Sequence, residues 1–343
     1  MESQSVKCLV TGATGYLGSV LVKELHEKGY VVTSLALPGD DIGYVSRFSD
    51  VRFADVCDRE ALNREAVGYD ILVHLAGIVD IGTRNHALMR HVNVEGTRNV
   101  AELCLERRIK MLYCGSVHAI SCLPDNETMS EPDDFDPRGV KGVYGKTKAE
   151  ATKTMLEMTK QGLDAMIAMP SGIIGPYARR PTNIEQMIVD FLCGSLKAYI
   201  DGKYDFVDVR DVVSGLCAMI AHWSSGERYI LSGHEVSVEQ MLAEIAMASD
   251  RRMPRVKLPY LFALYTSYLS EAYYLLMRKK PVYTHYSMQT LRSNCQFSNQ
   301  KAREEIGFSA RPTRESLFDM THWVMEHFVE KTDKKYSPCN YKE

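Results

Sequence analysis

The chain is 343 residues long and carries 41 basic and 44 acidic side chains, a formal net charge of -3. That length exceeds a small module and suits one large α/β domain with an appended lobe. A content of 45% hydrophobic and 25% charged residues excludes a disordered chain or a disulfide-stapled miniprotein, and the near balance of charge gives no general electrostatic footprint for nucleic acid.

The N-terminal MESQSVKCLVTGATG has neither a basic leader nor a long apolar run, so no signal peptide is expected and the expected compartment is the cytoplasm. Val6 to Val10 reads as a strand, followed by a glycine-rich turn and a helix over Ser19 to Lys28 that stops at Gly29. Further strands are expected at Val31 to Leu37, Asp70 to Leu75 and Met111 to Cys114, with helical patterns between them. Apolar strands alternating with helices predict a doubly wound parallel sheet of the Rossmann type, covered on both faces. Residues 121–142 are rich in Pro, Asp and Glu and read as a long functional or mobile loop. A long helix follows over Tyr144 to Lys160, then a strand over Ala165 to Met169. Past Gly175-Pro176 the alternation becomes irregular and resumes only at 205–220 and 228–233. Residues 1–175 with 205–233 are therefore expected to form the dinucleotide-binding domain, and 176–204 with 234–330 a smaller, mostly helical lobe; the polar tail 331–343 is expected to fray.

The nine cysteines include no CxxC pair, and the histidines show no ligand spacing, so reduced thiols and no metal are expected. Leu258 to Met277 is apolar and aromatic, and Arg278-Lys279-Lys280 follows it. Thr266, Ser267, Ser270 and Glu271 at its centre argue against a spanning helix; the readings left are a buried helix of the second lobe and a surface over 258–280 that touches lipid at the membrane periphery or an apolar partner.

Thr11-Gly-Ala-Thr-Gly-Tyr-Leu-Gly18 sits between a strand and a helix. A dinucleotide pyrophosphate needs a tight turn, close backbone approach and the positive end of a helix, and this segment supplies all three. Tyr144 and Lys148 lie four apart on one helix face. A phenol near pKa ~10 is a poor base, but an ammonium and an oxidised nicotinamide beside it would lower that value by roughly 3 units, worth about 4 kcal/mol. Ser116 lies just past the end of the Met111 strand, where parallel strands face their ligand crevice, and its hydroxyl can hold a carbonyl or alcohol oxygen.

These elements, in this order, resemble an extended short-chain dehydrogenase/reductase, in the branch of dihydroflavonol reductases and 3β-hydroxysteroid dehydrogenases. The matching segments are TGATGYLG (11–18), FADVCD (53–58), HLAG (74–77), VNVEGTRNV (92–100), CGSVHAI (114–120), YGKTK (144–148), MPSGIIGP (169–176) and DFVDVRDVV (205–213). The resemblance implies Gly12, Thr14, Gly15, Tyr16, Leu17 and Gly18 around the pyrophosphate, Asp55 and Val56 near the adenine, and Leu75, Ala76 and Gly77 along the cofactor. It implies Ser116, Tyr144 and Lys148 as the catalytic set, the last two also touching the cofactor, and Pro170, Ser171 and Ile173 near the nicotinamide. Asn93 matches the family's helix asparagine. His118, Tyr177 and Tyr204 are the candidate substrate residues. The resemblance also implies a homodimer, with the helices near 95–107 and 144–160 as the candidate face.

Cofactor choice is read at the end of the second strand, here SLALPGDD (34–41). Leu37 stands where NADP reductases often carry Arg, no base appears before Arg47, and Asp40 and Asp41 repel a phosphate, which favours NAD over NADP even though neither acid sits at the usual position. Sugar-nucleotide enzymes of the family carry an Arg just before the segment matching DFVDV; here that place holds Tyr204. Seven tyrosines (260, 265, 268, 273, 274, 283, 286) crowd the second lobe, either as packing or as a flat wall for a polycyclic substrate. The expected activity is interconversion of a secondary alcohol and a ketone on an apolar small molecule. The alternatives are a nucleotide-sugar epimerase or dehydratase with tightly bound NAD, and a non-catalytic dinucleotide sensor.

Overall fold

The computed structural model describes residues 5–79, 85–261, 264 and 290–329. The chain divides into two compact units: Met1–Ser171 with Arg210–Ser232 and Phe297–Ser309, and Gly172–Val209 with Gly233–Gln296 and Ala310–Glu343.

The first unit is built on β1 (Lys7–Thr11), β2 (Val31–Ala36), β3 (Asp50–Phe53), β4 (Ile71–His74), β5 (Lys110–Cys114), β6 (Ala165–Pro170) and β10 (Arg228–Leu231). They form one seven-stranded sheet in the order β10-β6-β5-β4-β1-β2-β3, every pairing parallel. This is the doubly wound arrangement expected from the alternating pattern. Strand positions of one parity (Leu9, Leu35, Leu72, Met111, Tyr113, Ile167) share a core with Leu62 of α2 (Arg59–Glu65), Val100 and Cys104 of α4 (Thr97–Arg107), and Ala151 and Met155 of α5 (Gly142–Lys160). The other parity (Cys8, Val10, Val32, Val73) is equally buried, as are Leu21, Val22 and Leu25 of α1 (Tyr16–Glu27). Each fully buried leucine here contributes about 1.5–3 kcal/mol of transfer free energy.

Two features depart from the sequence expectation. β3 reads DVRF and is largely exposed, because an edge strand buries too little surface to need an apolar run. The 121–142 segment, expected to be functional or mobile, is pinned to the opposite edge. Glu131 Oε1 accepts from the Ile230 amide at 2.8 Å, Arg228 Nε donates to the Pro132 carbonyl at 2.7 Å, and Met129 bridges to Phe297. The loop thus covers the edge of β10 and gives its backbone a partner.

The second unit carries β7 (Gly172–Ile174), β9 (Lys203–Asp208) and β11 (His234–Ser237) in one mixed sheet, and β8 (Ala198–Ile200) paired with β12 (Val256–Leu258). Helix α10 (Thr313–His327) packs on α6 (Asn183–Leu192) and α8 (Val238–Ser249). Of the tyrosines expected in this lobe only Tyr260 lies among the described residues, with the Arg292 guanidinium 4.1 Å above its ring. Most of the 258–280 segment and the 331–343 tail lie outside them. No helix among the described residues is long and apolar enough to cross a membrane.

Candidate functional site

The glycine turn links β1 to α1. Gly12 adopts φ +68°, and a Cβ there would stand 2.7 Å from the Ala76 amide nitrogen, so only glycine lets the turn lie against the end of β4. Gly18 meets the turn as closely: a Cβ would fall 2.1 Å from the Gly12 carbonyl oxygen. Gly15 is the N-cap of α1, with no side-chain cap and no acidic residue in the first turn. The uncapped amides and the helix dipole leave this end suited to a diphosphate. Thr14, Gly15, Tyr16 and Leu17 line its rim, partly or fully exposed.

At the end of β2 the chain doubles back. Leu37-Pro38-Gly39-Asp40 is a turn closed by Asp40 N to Leu37 O at 3.1 Å, with Gly39 at φ +94°. It returns Asp40 to the strand end, where Asp40 Oδ2 accepts from Thr14 Oγ1 at 2.7 Å and from the Leu37 amide at 3.1 Å. An acidic group therefore stands beside the glycine turn although its sequence position lies past the usual one. The Pro-Gly pair was the signal for this fold-back. Asp55 and Val56 follow β3; Asp55 Oδ1 accepts from the Cys57 amide at 2.9 Å, and Val56 is buried with its carbonyl held by Asn99 Nδ2 at 3.0 Å.

The catalytic candidates assemble at the ends of β4 and β5. Lys148 is buried on α5, and its Nζ donates to the Cys114 carbonyl, the last residue of β5, at 2.9 Å. A Cβ on Gly77 would lie 3.6 Å from the same Nζ and 3.2 Å from Asn93 Oδ1, which places Gly77 against the lysine. Ser116 caps a short 3-10 turn, accepting from the His118 amide at 3.2 Å. The His118 ring meets Tyr144 edge-on at 5.6 Å. This contact requires Gly145, where a Cβ would stand 2.9 Å from the His118 carbonyl oxygen.

Burial raises the Tyr144 phenol above its ordinary value, against the opposing influence of the Lys148 ammonium and the Ser116 hydroxyl. The expected lowering is thus not achieved by the protein's own groups, because desolvation outweighs one ammonium. Desolvation also holds the His118 imidazole neutral, with its pKa pushed down to about 4.

Asn93 lies in a π-helical turn, His91–Gly96, between α3 (His86–Arg90) and α4. Its amide side chain accepts from Ile78 N at 2.7 Å and donates to Ile78 O at 3.0 Å and to Thr147 Oγ1 at 3.1 Å. Thr147 in turn donates to the Tyr144 carbonyl at 2.8 Å. Sequence reasoning missed Thr147, the residue before the lysine in YGKTK, whose hydroxyl ties the asparagine to the catalytic helix.

Pro170 ends β6 and Ser171 follows it, its hydroxyl buried without a hydrogen-bond partner. Ile173, Tyr177 and Tyr204 belong to the second unit. Ile173 pairs with Val207. Tyr177 is 40% exposed at φ +80°, a strained backbone for an aromatic residue, with its ring edge-on to Trp323 at 5.3 Å. Tyr204 is buried, edge-on to Phe206 at 5.7 Å.

The cradle at Gly12 and Gly18, the uncapped start of α1 and the orphaned Ser171 hydroxyl all fit a dinucleotide. The sequence pattern of the NAD dependent epimerase/dehydratase family matches residues 8–232. Sterol demethylase protein B of Methylococcus capsulatus is 28% identical over 324 residues, covering 93% of this chain and 98% of that protein. The 3beta-hydroxysteroid-dehydrogenase/decarboxylase isoform 1 of Arabidopsis thaliana is 27% identical over 334 residues, covering 88% and 75% respectively. Among solved structures, that of gox2253 superposes with a TM-score of 0.82 at 29% identity, covering 94% of this chain and 99% of that one.

Proposed function

The chain belongs to the NAD dependent epimerase/dehydratase family of extended short-chain enzymes, and within it we propose an NAD-dependent oxidoreductase that interconverts a secondary alcohol and a ketone on an apolar, polycyclic substrate. The observation that carries this reading is the placement of Tyr144 and Lys148, both buried on one face of α5, with the lysine held at the end of β5 through the Cys114 carbonyl.

When bound, the nicotinamide supplies the acceptor or donor of the hydride. Gly12, Gly15 and Gly18 would hold its diphosphate at the start of α1. Leu75, Ala76 and Gly77 would lie along it, and Pro170, Ser171 and Ile173 would border its ring. Ser116 holds the substrate oxygen, and Tyr144 passes or takes the hydroxyl proton. Because burial keeps the phenol protonated at neutral pH, Tyr144 rests in the form that donates to a carbonyl oxygen; oxidation of an alcohol gains as pH rises. Lys148 is anchored by one of its three protons to the Cys114 carbonyl, and the other two would reach the cofactor ribose and the phenol when the cofactor is bound.

The choice of an apolar substrate is supported by the names of the sterol and steroid relatives and by Tyr204, which occupies the place of the diphosphate-binding arginine of sugar-nucleotide enzymes. A dianionic diphosphate needs forked donors, and tyrosine has none. The test is absorbance at the reduced-nicotinamide band, with NAD or NADP offered alongside hydroxysteroids, flavanols and simple secondary alcohols. Net reduction with a polycyclic alcohol is expected. Cofactor that co-purifies with the protein and undergoes no net reduction, together with turnover of a nucleotide sugar, would overturn the reading.

A further inference from the structure

His74, the last residue of β4, is fully buried and bonded at both ring nitrogens. Its tautomer follows from counting protons. Thr97 Oγ1 donates its single proton to the Asn93 carbonyl at 2.7 Å, so toward His74 Nε2, at 3.1 Å, it can only accept. Nε2 therefore carries hydrogen. Nδ1 is then a lone pair, and the Thr11 hydroxyl, 2.7 Å away, donates to it. The Thr11 oxygen accepts in turn from the Ala76 amide at 3.2 Å. Every donor in the chain Ala76 N, Thr11, His74, Thr97, Asn93 O finds one acceptor, all in one direction.

The two ends of this chain are informative. Thr11 and Ala76 flank Gly12, the residue that brings the glycine turn against the end of β4. At the other end the Asn93 amide group continues through Thr147 to the Tyr144 carbonyl. We propose that His74 is a positioning residue, locked as the Nε2–H tautomer, that sets the register of the dinucleotide turn against the Asn93 segment and through it the catalytic helix. The groups packed on the ring agree: Tyr113 stacks on it at 5.9 Å, and burial, with the Lys148 ammonium adding to it, disfavours a second proton, taking its pKa down to about 3. A protonated ring would point an N–H at Thr11 and break the single direction of the chain.

The test starts from 15N-histidine-labelled protein without added dinucleotide. The His74 signals, identified by their loss in His74→Phe, should show a proton on Nε2 and none on Nδ1, unchanged across about pH 5 to 8. An Nδ1–H tautomer or a ring that titrates in that range would overturn the proposal. The second arm measures NAD dissociation constants. His74→Phe keeps ring volume and the stack on Tyr113 but removes both bonds, and should weaken NAD by about tenfold. Thr97→Val should act in the same direction, and the double variant should be no worse than the weaker single one. Unchanged affinity in either variant, or additive losses, would contradict it. Should His74→Phe fail to fold, Thr97→Val and the wild-type tautomer decide. This arm rests on the dinucleotide reading above: wild-type protein that binds no NAD would defeat that reading, while the tautomer would still be tested.

Discussion

Asp40 shows how a single residue gains a role from a local fold-back. The Pro-Gly turn returns its carboxylate to the end of β2, where it accepts from Thr14 and the Leu37 amide. A negative charge there repels a 2′-phosphate and can bond ribose hydroxyls. Replacing it by Asp40→Ala together with Leu37→Arg should move the ratio of NAD to NADP dissociation constants by at least about tenfold toward NADP. An unchanged ratio would mean that the adenosine ribose lies elsewhere. Tyr144 is the second case. Four-residue spacing to Lys148 was legible in the sequence; the direction of its pKa was not, because desolvation depends on how completely the neighbouring elements cover the ring.

At the level of elements, the approach of α5 to the Ser116 turn depends on Gly145. Gly145→Ala would force a methyl to 2.9 Å from the His118 carbonyl, so the helix must shift. About 1–3 kcal/mol of stability should be lost, with a larger proportional loss of turnover, since Tyr144 precedes Gly145 on the helix and meets the His118 ring across that contact. Denaturation midpoints and kcat measured on the same preparation check this; full activity would show that the contact is not critical. The alternating apolar runs made β1, β2, β4, β5, β6 and their parallel order legible, because buried strands must be apolar throughout. Edge strand β3 escaped because exposed strands carry no such pattern. The pinning of the 121–142 loop escaped because it rests on contacts distant in sequence, Glu131 with Ile230 and Arg228 with Pro132. The glycine turn, Ser116, Tyr144 and Lys148 could be read from spacing, whereas the Thr11–His74–Thr97 chain needed three elements in place.

Over the whole molecule, two uncharged imidazoles tie stability to pH. His74 and His118 fall from an ordinary 6.5 to about 3 and about 4 in the folded protein. The unfolded chain takes up protons below pH 6.5 that the folded chain refuses, so stability present above that value is lost as pH falls toward the folded values. Each histidine contributes up to about 1.4 kcal/mol per pH unit across that window. Denaturant midpoints should therefore drop between about pH 6.5 and 5, and His118→Asn should flatten the drop; a flat wild-type profile would contradict the desolvation of the two rings. The central claim concerns the proton at Tyr144, and Tyr144→Phe tests it most directly. The variant keeps the ring and the glycine turn, so NAD affinity should stay within about threefold while kcat for the polycyclic alcohol falls by about a thousandfold or more. A Tyr144→Phe enzyme that turns over at the wild-type rate would contradict the assignment.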